Sequence, residues 1–246
     1  MKKPRLSLTA GTLLLSLVAQ QAGAAIALDR TRVVFDGGAN SASLNVSNEN
    51  KQLPYLAQGW IEDEAGEKIS SPLTVLPPLQ RIEPGEKSQV KIQALPEAAR
   101  LPQDRESLFY FNLREIPPKS DKPNTLQIAL QTRIKLFYRP KGLMTAPTDT
   151  PWQEQLTLSR QGNQYRVHNP TPYYVTLVEA RRSPEGEAVP GFEPLMLAPH
   201  GEAAVKIGSN ALGDSPVLTY VNDYGGRPQL QFSCAAGSCQ ASPVER

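Results

Sequence analysis

Residues 126–139 read Leu-Gln-Ile-Ala-Leu-Gln-Thr-Arg-Ile-Lys-Leu-Phe-Tyr-Arg. Leu126, Ile128, Leu130, Thr132, Ile134 and Leu136 share one parity, while Gln127, Gln131, Arg133 and Lys135 share the other. A period of two predicts a β-strand with one apolar face. A run this long is about twice the usual ~5–6 residues. It fits two roles: a core strand of a sandwich, or an edge strand that lends its apolar side chains to another protein. The pattern alone favours the core strand.

The start of the chain sets the compartment. Lys2, Lys3 and Arg5 precede an apolar run centred on Leu13-Leu14-Leu15, and Ala22-Gly23-Ala24 follows it. A basic start, a short apolar run and a small-residue exit predict a secretory signal peptide over residues 1–24, cut after Ala24. The run is too short for a transmembrane anchor. Cleavage removes three of the 26 basic residues and none of the 24 acidic ones, leaving 23 against 24, a net charge of −1. Bulk charge therefore gives no reason to expect nucleic acid or an anionic membrane as partner. Cys234 and Cys239 are the two cysteines. In an oxidising compartment they are expected to pair across a short loop, the alternative being a metal or redox pair for which the spacing and nearby side chains are wrong.

The body of the chain has the punctuation of an all-β protein. Strands are expected at 25–35, 41–48, 53–61 (with Trp60 in the core), 73–79, 88–92, 106–116 and 126–139, with a short helical turn within 96–104. Turn residues separate them at short intervals, as in an immunoglobulin-like sandwich. The last two strands form a hairpin whose polar loop, 119–124, is longer than a tight turn. Residues 140–151 carry Pro140, Gly142, Pro147 and Pro151 and read as a linker. Short strand candidates resume beyond it, from 155–158 to 229–234. The expected division is a signal peptide at 1–24, a first domain at 25–143 and a second at 144–246.

Catalytic chemistry is not evident. His168 and His200 lie near no second histidine at metal spacing and no nucleophile motif, and Asp223 lacks the neighbouring carboxylates of a calcium loop. The expectation is a protein that is not an enzyme and has no cofactor and no metal. Two cations, Arg32 and Lys135, interrupt apolar strands. Alternation on its own points them at solvent, but converging on one site they would suit an anion.

Residues 101–118, Leu-Pro-Gln-Asp-Arg-Glu-Ser-Leu-Phe-Tyr-Phe-Asn-Leu-Arg-Glu-Ile-Pro-Pro, resemble the signature of the periplasmic pilus (fimbrial) chaperones of the chaperone–usher pathway. The resemblance extends through 28–32, 50–57, 126–140, 169–175 and 222–228. It implies two immunoglobulin-like β-sandwich domains in a boomerang arrangement. It also implies a chaperone that caps pilus subunits by donor-strand complementation in the periplasm and delivers them to an outer-membrane usher. By that resemblance Arg32 and Lys135 clamp the subunit's C-terminal carboxylate, and Leu126, Ile128 and Leu130 are the donated side chains. Glu106, Arg139 and Asp223 match an interdomain ionic network, and Cys234 and Cys239 match a disulfide of the second domain. When the chaperone is free, its donor edge is left open to self-association. Two competing readings are a structural pilin or adhesin and a carbohydrate-binding module. The first would carry an extension before its first strand, and the second a cluster of exposed aromatics. Residues 25–32 run straight into a strand, and Phe109, Tyr110 and Phe111 sit in a core-like one.

Overall fold

The structure is a computed structural model that describes residues 24–235 and 237–244. The expected signal peptide therefore lies, apart from Ala24, outside the described residues. The first domain is built from β1 (Ile26–Leu28), β2 (Arg32–Asp36), β3 (Ser41–Asn48), β4 (Tyr55–Glu62), β5 (Lys68–Ile69), β6 (Leu73–Leu76), β7 (Leu79–Ile82), β8 (Lys87–Ala94), β9 (Ser107–Ile116) and β10 (Gln131–Arg139). One sheet runs β1-β3-β8-β6. The other runs β2-β10-β9-β4-β5, with β7 also on β4. Alternation sends Leu44, Val46, Val90 and Ile92 from the first sheet against Phe35, Ile61, Phe111, Leu113 and Leu136 from the second. Each such side chain contributes about 1.5–3 kcal/mol on burial.

Four expectations need correction. The strand expected at 25–35 is two strands on different sheets: β1 pairs with β3, and β2 pairs in parallel with β10. The break falls at Asp29, whose carboxylate binds Arg30 at 2.8 Å and Asn45 at 2.9 Å. The hydrogen bond from Arg30 holds that carboxyl down at about 2. The run at 73–79, where Pro77-Pro78 predicts a bend or an edge within one strand, is likewise two strands that pass from one sheet to the other, β6 and β7, across a cis Leu76–Pro77 peptide. Trp60 lies outside the core: Ala57, Gly59 and Ile61 take the inward parity of β4, and Trp60 instead donates to Glu62 on the outer face at 2.9 Å.

The fourth correction concerns the long strand, which forms only from Gln131 onwards. Antiparallel pairing with β9 puts Gln131 opposite Arg114, and Glu115 N–H still donates to the Leu130 carbonyl at 3.0 Å. Continued backwards, that register sets Ile128 against Pro117 and Gln127 against Pro118. Proline has no N–H to give a ladder, so pairing stops there. The Gln127 side chain bonds the Pro118 carbonyl instead.

The second domain holds β11 (Thr157–Gln161), β12 (Gln164–His168), β13 (Val175–Arg181), β14 (Leu195–Leu197), β15 (Glu202–Gly208), β16 (Val217–Tyr220), β17 (Gln229–Ala235) and β18 (Ser238–Pro243). They form one hydrogen-bonded path, β14-β13-β16-β17-β18-β11-β12-β15, whose two ends come into contact. Leu156, Tyr165, Val167, Leu177, Val205, Leu218 and Phe232 fill its interior. Sequence periodicity did not indicate β18, because Gln240, Ser242 and Pro243 carry no apolar pattern. Its register is pinned where Cys234 faces Cys239, and the two are joined as a disulfide.

Candidate functional site

The parallel β2–β10 pair sets Lys135 beside Arg32, Phe137 beside Val34 and Arg139 beside Asp36. On β10 the side chains of Ile134, Leu136 and Tyr138 enter the first domain's core. Lys135, Phe137 and Arg139 therefore project from the opposite face. That face is covered by the second domain. Phe137 stacks on Tyr174 with ring centroids 5.7 Å apart, Lys135 Nζ donates to Thr176 Oγ1 at 2.9 Å, and Arg32 Nη1 donates to the Val221 carbonyl at 3.1 Å. Neither cation points freely into solvent, as strand alternation taken alone would have it.

Each of the two lacks a carboxylate partner of its own among the ion pairs of the described residues. The Arg32 Nε–H is buried and without a hydrogen-bond acceptor. Burial, and then the charge of Arg32, push the Lys135 ammonium down to about 8. Burial likewise presses Arg32 below its ordinary value, against the pull of Asp223 and Glu106. Two adjacent desolvated cations with spare donors have the charge and hydrogen-bonding capacity that would suit an anion.

Arg139 ends β10 fully buried and joins both domains. Its Nε donates to Glu106 Oε1 at 2.8 Å, and its Nη1 and Nη2 donate to the two oxygens of Asp223 at 2.7 and 3.0 Å. Glu106 Oε2 accepts from Tyr174 N–H at 2.7 Å. The guanidinium also lies 4.8 Å from the Trp152 ring and 5.0 Å from the Tyr173 ring. Burial lifts the Glu106 carboxyl above its usual range, and the Arg139 charge opposes that. Burial would lower Arg139, but its bond to Asp223 and the charges of Glu106 and Asp223 outweigh it and the net shift is upward. Glu106, just before β9, and Arg139, the last residue of β10, thus meet at one end of the antiparallel β9–β10 pair, and Asp223 comes from the loop after β16.

One edge of β10 is open over part of its length. β9 covers one side from Gln131 to Tyr138, but β2 covers the other only from Lys135 onwards. Upstream of Lys135 that second edge has no strand beside it among the described residues, and the unpaired segment 126–130 extends it. Leu126, Ile128 and Leu130 are 84%, 64% and 41% exposed, so their shared parity presents a row of apolar side chains to solvent. Rows of this kind, with unpaired backbone behind them, are templates for strand addition.

Sequence reasoning missed the second domain's contribution: Thr176, Val221, Tyr174, Trp152 and Tyr173 all touch the named residues. Pairing of Tyr173 and Tyr174 next to Pro172 was the available signal. A cleft of ≈ 720 Å³ opens beside Arg32 and Arg139, lined by the linker from Met144 to Glu154 and by the Asn222–Tyr224 turn. His168 and His200 are exposed, and neither lines that cleft.

Two family models match the chain. One, described as pili and flagellar-assembly chaperone, PapD N-terminal domain, covers residues 25–144, and the other, pili assembly chaperone PapD, C-terminal domain, covers residues 151–232. The chaperone protein PapD of Escherichia coli is 55% identical over 223 residues, 89% of this chain and 90% of that relative. The probable fimbrial chaperone YfcS of Escherichia coli (strain K12) is 52% identical over 228 residues, 93% of this chain and 90% of the relative. Among solved structures, the periplasmic chaperone SfaE superposes with a TM-score of 0.66 at 32% identity, covering 84% of this chain and 98% of that one. A chain from the complex of Salmonella enterica SafA pilin with the SafB chaperone gives 0.71 at 26% identity, covering 86% and 97%.

Proposed function

The chain belongs to the PapD family of pili and flagellar-assembly chaperones, and we propose that it caps pilus subunits by lending them the 126–134 edge while Arg32 and Lys135 hold the subunit's C-terminal carboxylate. The observation that carries this is where the open edge ends. A strand added along β10 upstream of Lys135 lies in line with β2 and runs into Arg32, the first residue of β2. A chain that stops there offers its carboxylate to the two cations. Its C-terminus then lies at the Lys135 end, so the client strand runs parallel to β10.

Stopping the client at one place also fixes register. A shift of one residue would turn the apolar row away from the client's groove. In the correct register Leu126, Ile128 and Leu130 fill the space left by a missing strand, and the exposed edge supplies the ladder. The network of Arg139 with Glu106 and Asp223 holds the second domain over the cations, so that Thr176 and Val221 complete the site. We divide the chain at 24 and between 143 and 144, where the 3-10 turn Lys141–Leu143 follows β10. In this reading residues 1–24 direct export to the periplasm, the complex is handed to an outer-membrane usher, and no bond is made or broken by the chaperone.

The test is recovery of a fimbrial subunit with the chaperone from periplasmic extracts. The wild-type protein is expected to bring the subunit with it. The Lys135→Ala variant is expected to remain folded and to bring none, and normal recovery with that variant would refute the anchor.

A further inference from the structure

Glu115 is a buried acid that the client site does not use. It is 6% exposed and follows Leu113 on the core-facing parity of β9. Its Oε2 accepts the Ile26 N–H, the first of β1, at 2.9 Å. Glu106, the comparably buried acid of the first domain, is neutralised by Arg139. Glu115 forms no ion pair with a lysine or arginine side chain among those of the described residues. A buried carboxylate of this kind calls for a counter-charge.

We propose that this counter-charge is the α-ammonium of Ala25, created when the signal peptide is removed. Hydrolysis of the Ala24–Ala25 peptide bond by a signal peptidase consumes one water. It leaves a carboxylate on Ala24 and an ammonium on Ala25, the residue next to the one that Glu115 already binds. Ala25 is held in line with β1, because its carbonyl accepts Glu49 N–H at 2.7 Å. Neighbouring backbone nitrogens are separated by at most roughly 3.7 Å, so the ammonium falls within direct electrostatic reach of Oε2. In the precursor the same nitrogen is a neutral amide, and Glu115 is left uncompensated.

The consequence reaches the donor segment. The Glu115 N–H donates to the Leu130 carbonyl at 3.0 Å, and this is where pairing of the apolar row to β9 ends. Glu115 is therefore a positioning residue that fastens the mature N-terminus to one face of the sandwich and the base of the donor segment to the other. Processing completes that fastening, so the donor edge is fully braced only in the exported, cleaved chain.

The test compares two N-termini. One is the exported chain, shown by intact mass to begin at Ala25. The other carries a Gly-Ser extension before Ala25, which moves the ammonium away. Each is made with Glu115 and with Glu115→Gln, which keeps an acceptor for the Ile26 N–H, and urea unfolding is measured for all four. In the processed chain Glu115→Gln is expected to raise the unfolding constant about tenfold or more, and in the extended chain less than about twofold. An equal effect in both backgrounds, including an equal failure to fold, would overturn the proposal, as would an exported chain that does not begin at Ala25. Subunit recovery measured on the same proteins reports on the carboxylate site separately.

Discussion

Lys135 stands directly across the parallel β2–β10 pair from Arg32, and both side chains reach over to the second domain, to Thr176 and to the Val221 carbonyl. Two like charges held side by side and half-buried destabilise the free protein and favour any ligand that brings a negative charge. In the proposed role of these two cations, readiness to bind is stored in an unfavourable arrangement of the free protein.

That arrangement predicts a pH dependence. In the free protein, burial and then Arg32 hold the Lys135 ammonium at about 8. A bound carboxylate favours the protonated form and lifts it again, so binding takes up a proton above that pH. Affinity for a subunit's C-terminal strand should be level below about pH 8 and fall by about tenfold per unit above it. For folding, the sign is opposite. The cost of the charged lysine is fully present below about 8 and is relieved as pH rises towards its unfolded value of 10.5. Lys135→Met should remove the pH dependence of binding together with the binding, and raise the stability of the free protein by roughly 1 kcal/mol. Titration calorimetry from pH 6 to 10 and urea unfolding check both parts.

The Arg139 network should behave as one unit. The Arg139 and Glu106 side chains are 2% and 1% exposed, whereas Asp223 is 23% exposed. Glu106→Gln leaves a buried guanidinium short of its charge partner and is expected to cost about 3–5 kcal/mol. Asp223→Asn, closer to water, should cost about 1–3 kcal/mol. The double variant should cost less than the sum, since both act on the same guanidinium. Trp152, its ring centroid 4.5 Å from that of Tyr173 and tilted against it beside Arg139, provides a fluorescence signal for following the two domains through denaturant unfolding. Loss of the network is expected to separate one transition into two.

The donor residues should separate function from stability. Leu126 and Ile128 contribute little to the free fold, being exposed and outside any ladder. Leu126→Asn and Ile128→Asn are therefore expected to change chaperone stability by less than ~0.5 kcal/mol. Each should nonetheless abolish most subunit recovery, because a polar side chain would enter the client's apolar groove unpaired. A loss of chaperone stability comparable to the loss of recovery would show that these residues belong to its own core.

Much of this could be read from residue order. Alternation at Ser41–Asn48 gave a strand with the right face, because period two survives whatever the sheet does next, and aromatic content marked the strand at Ser107–Ile116. The Leu126–Leu130 row was visible for the same reason. Alternation failed where tertiary context decides. It could not tell that the 25–35 run changes sheets at Asp29, or that Pro117 and Pro118 on a partner strand would leave the donor row unpaired. Nor could it tell which of two outward faces a second domain would cover. Lys135 and Trp60 sit on that same outward parity of the sheet, yet Lys135 meets Thr176 and Trp60 meets Glu62. The disulfide was expected from the compartment and the cysteine count, and the two cations stood out as charges within apolar strands, but the roles of the cations and of the acids entered through a family resemblance. Their spacing in the chain, with Arg139 and Asp223 84 residues apart, carries no local signal.

Carboxylate anchoring is tested most directly by changing one group on the client. A synthetic peptide copying the C-terminal strand of a pilus subunit is prepared with a free carboxylate and as the carboxamide, and both are titrated against the wild-type chaperone. Removing one partner of a desolvated charge pair costs about 2–5 kcal/mol, so the carboxamide should bind at least about thirtyfold more weakly, and the difference should vanish in Lys135→Met. Equal affinity of the two peptides for the wild-type protein would contradict the anchor at Arg32 and Lys135.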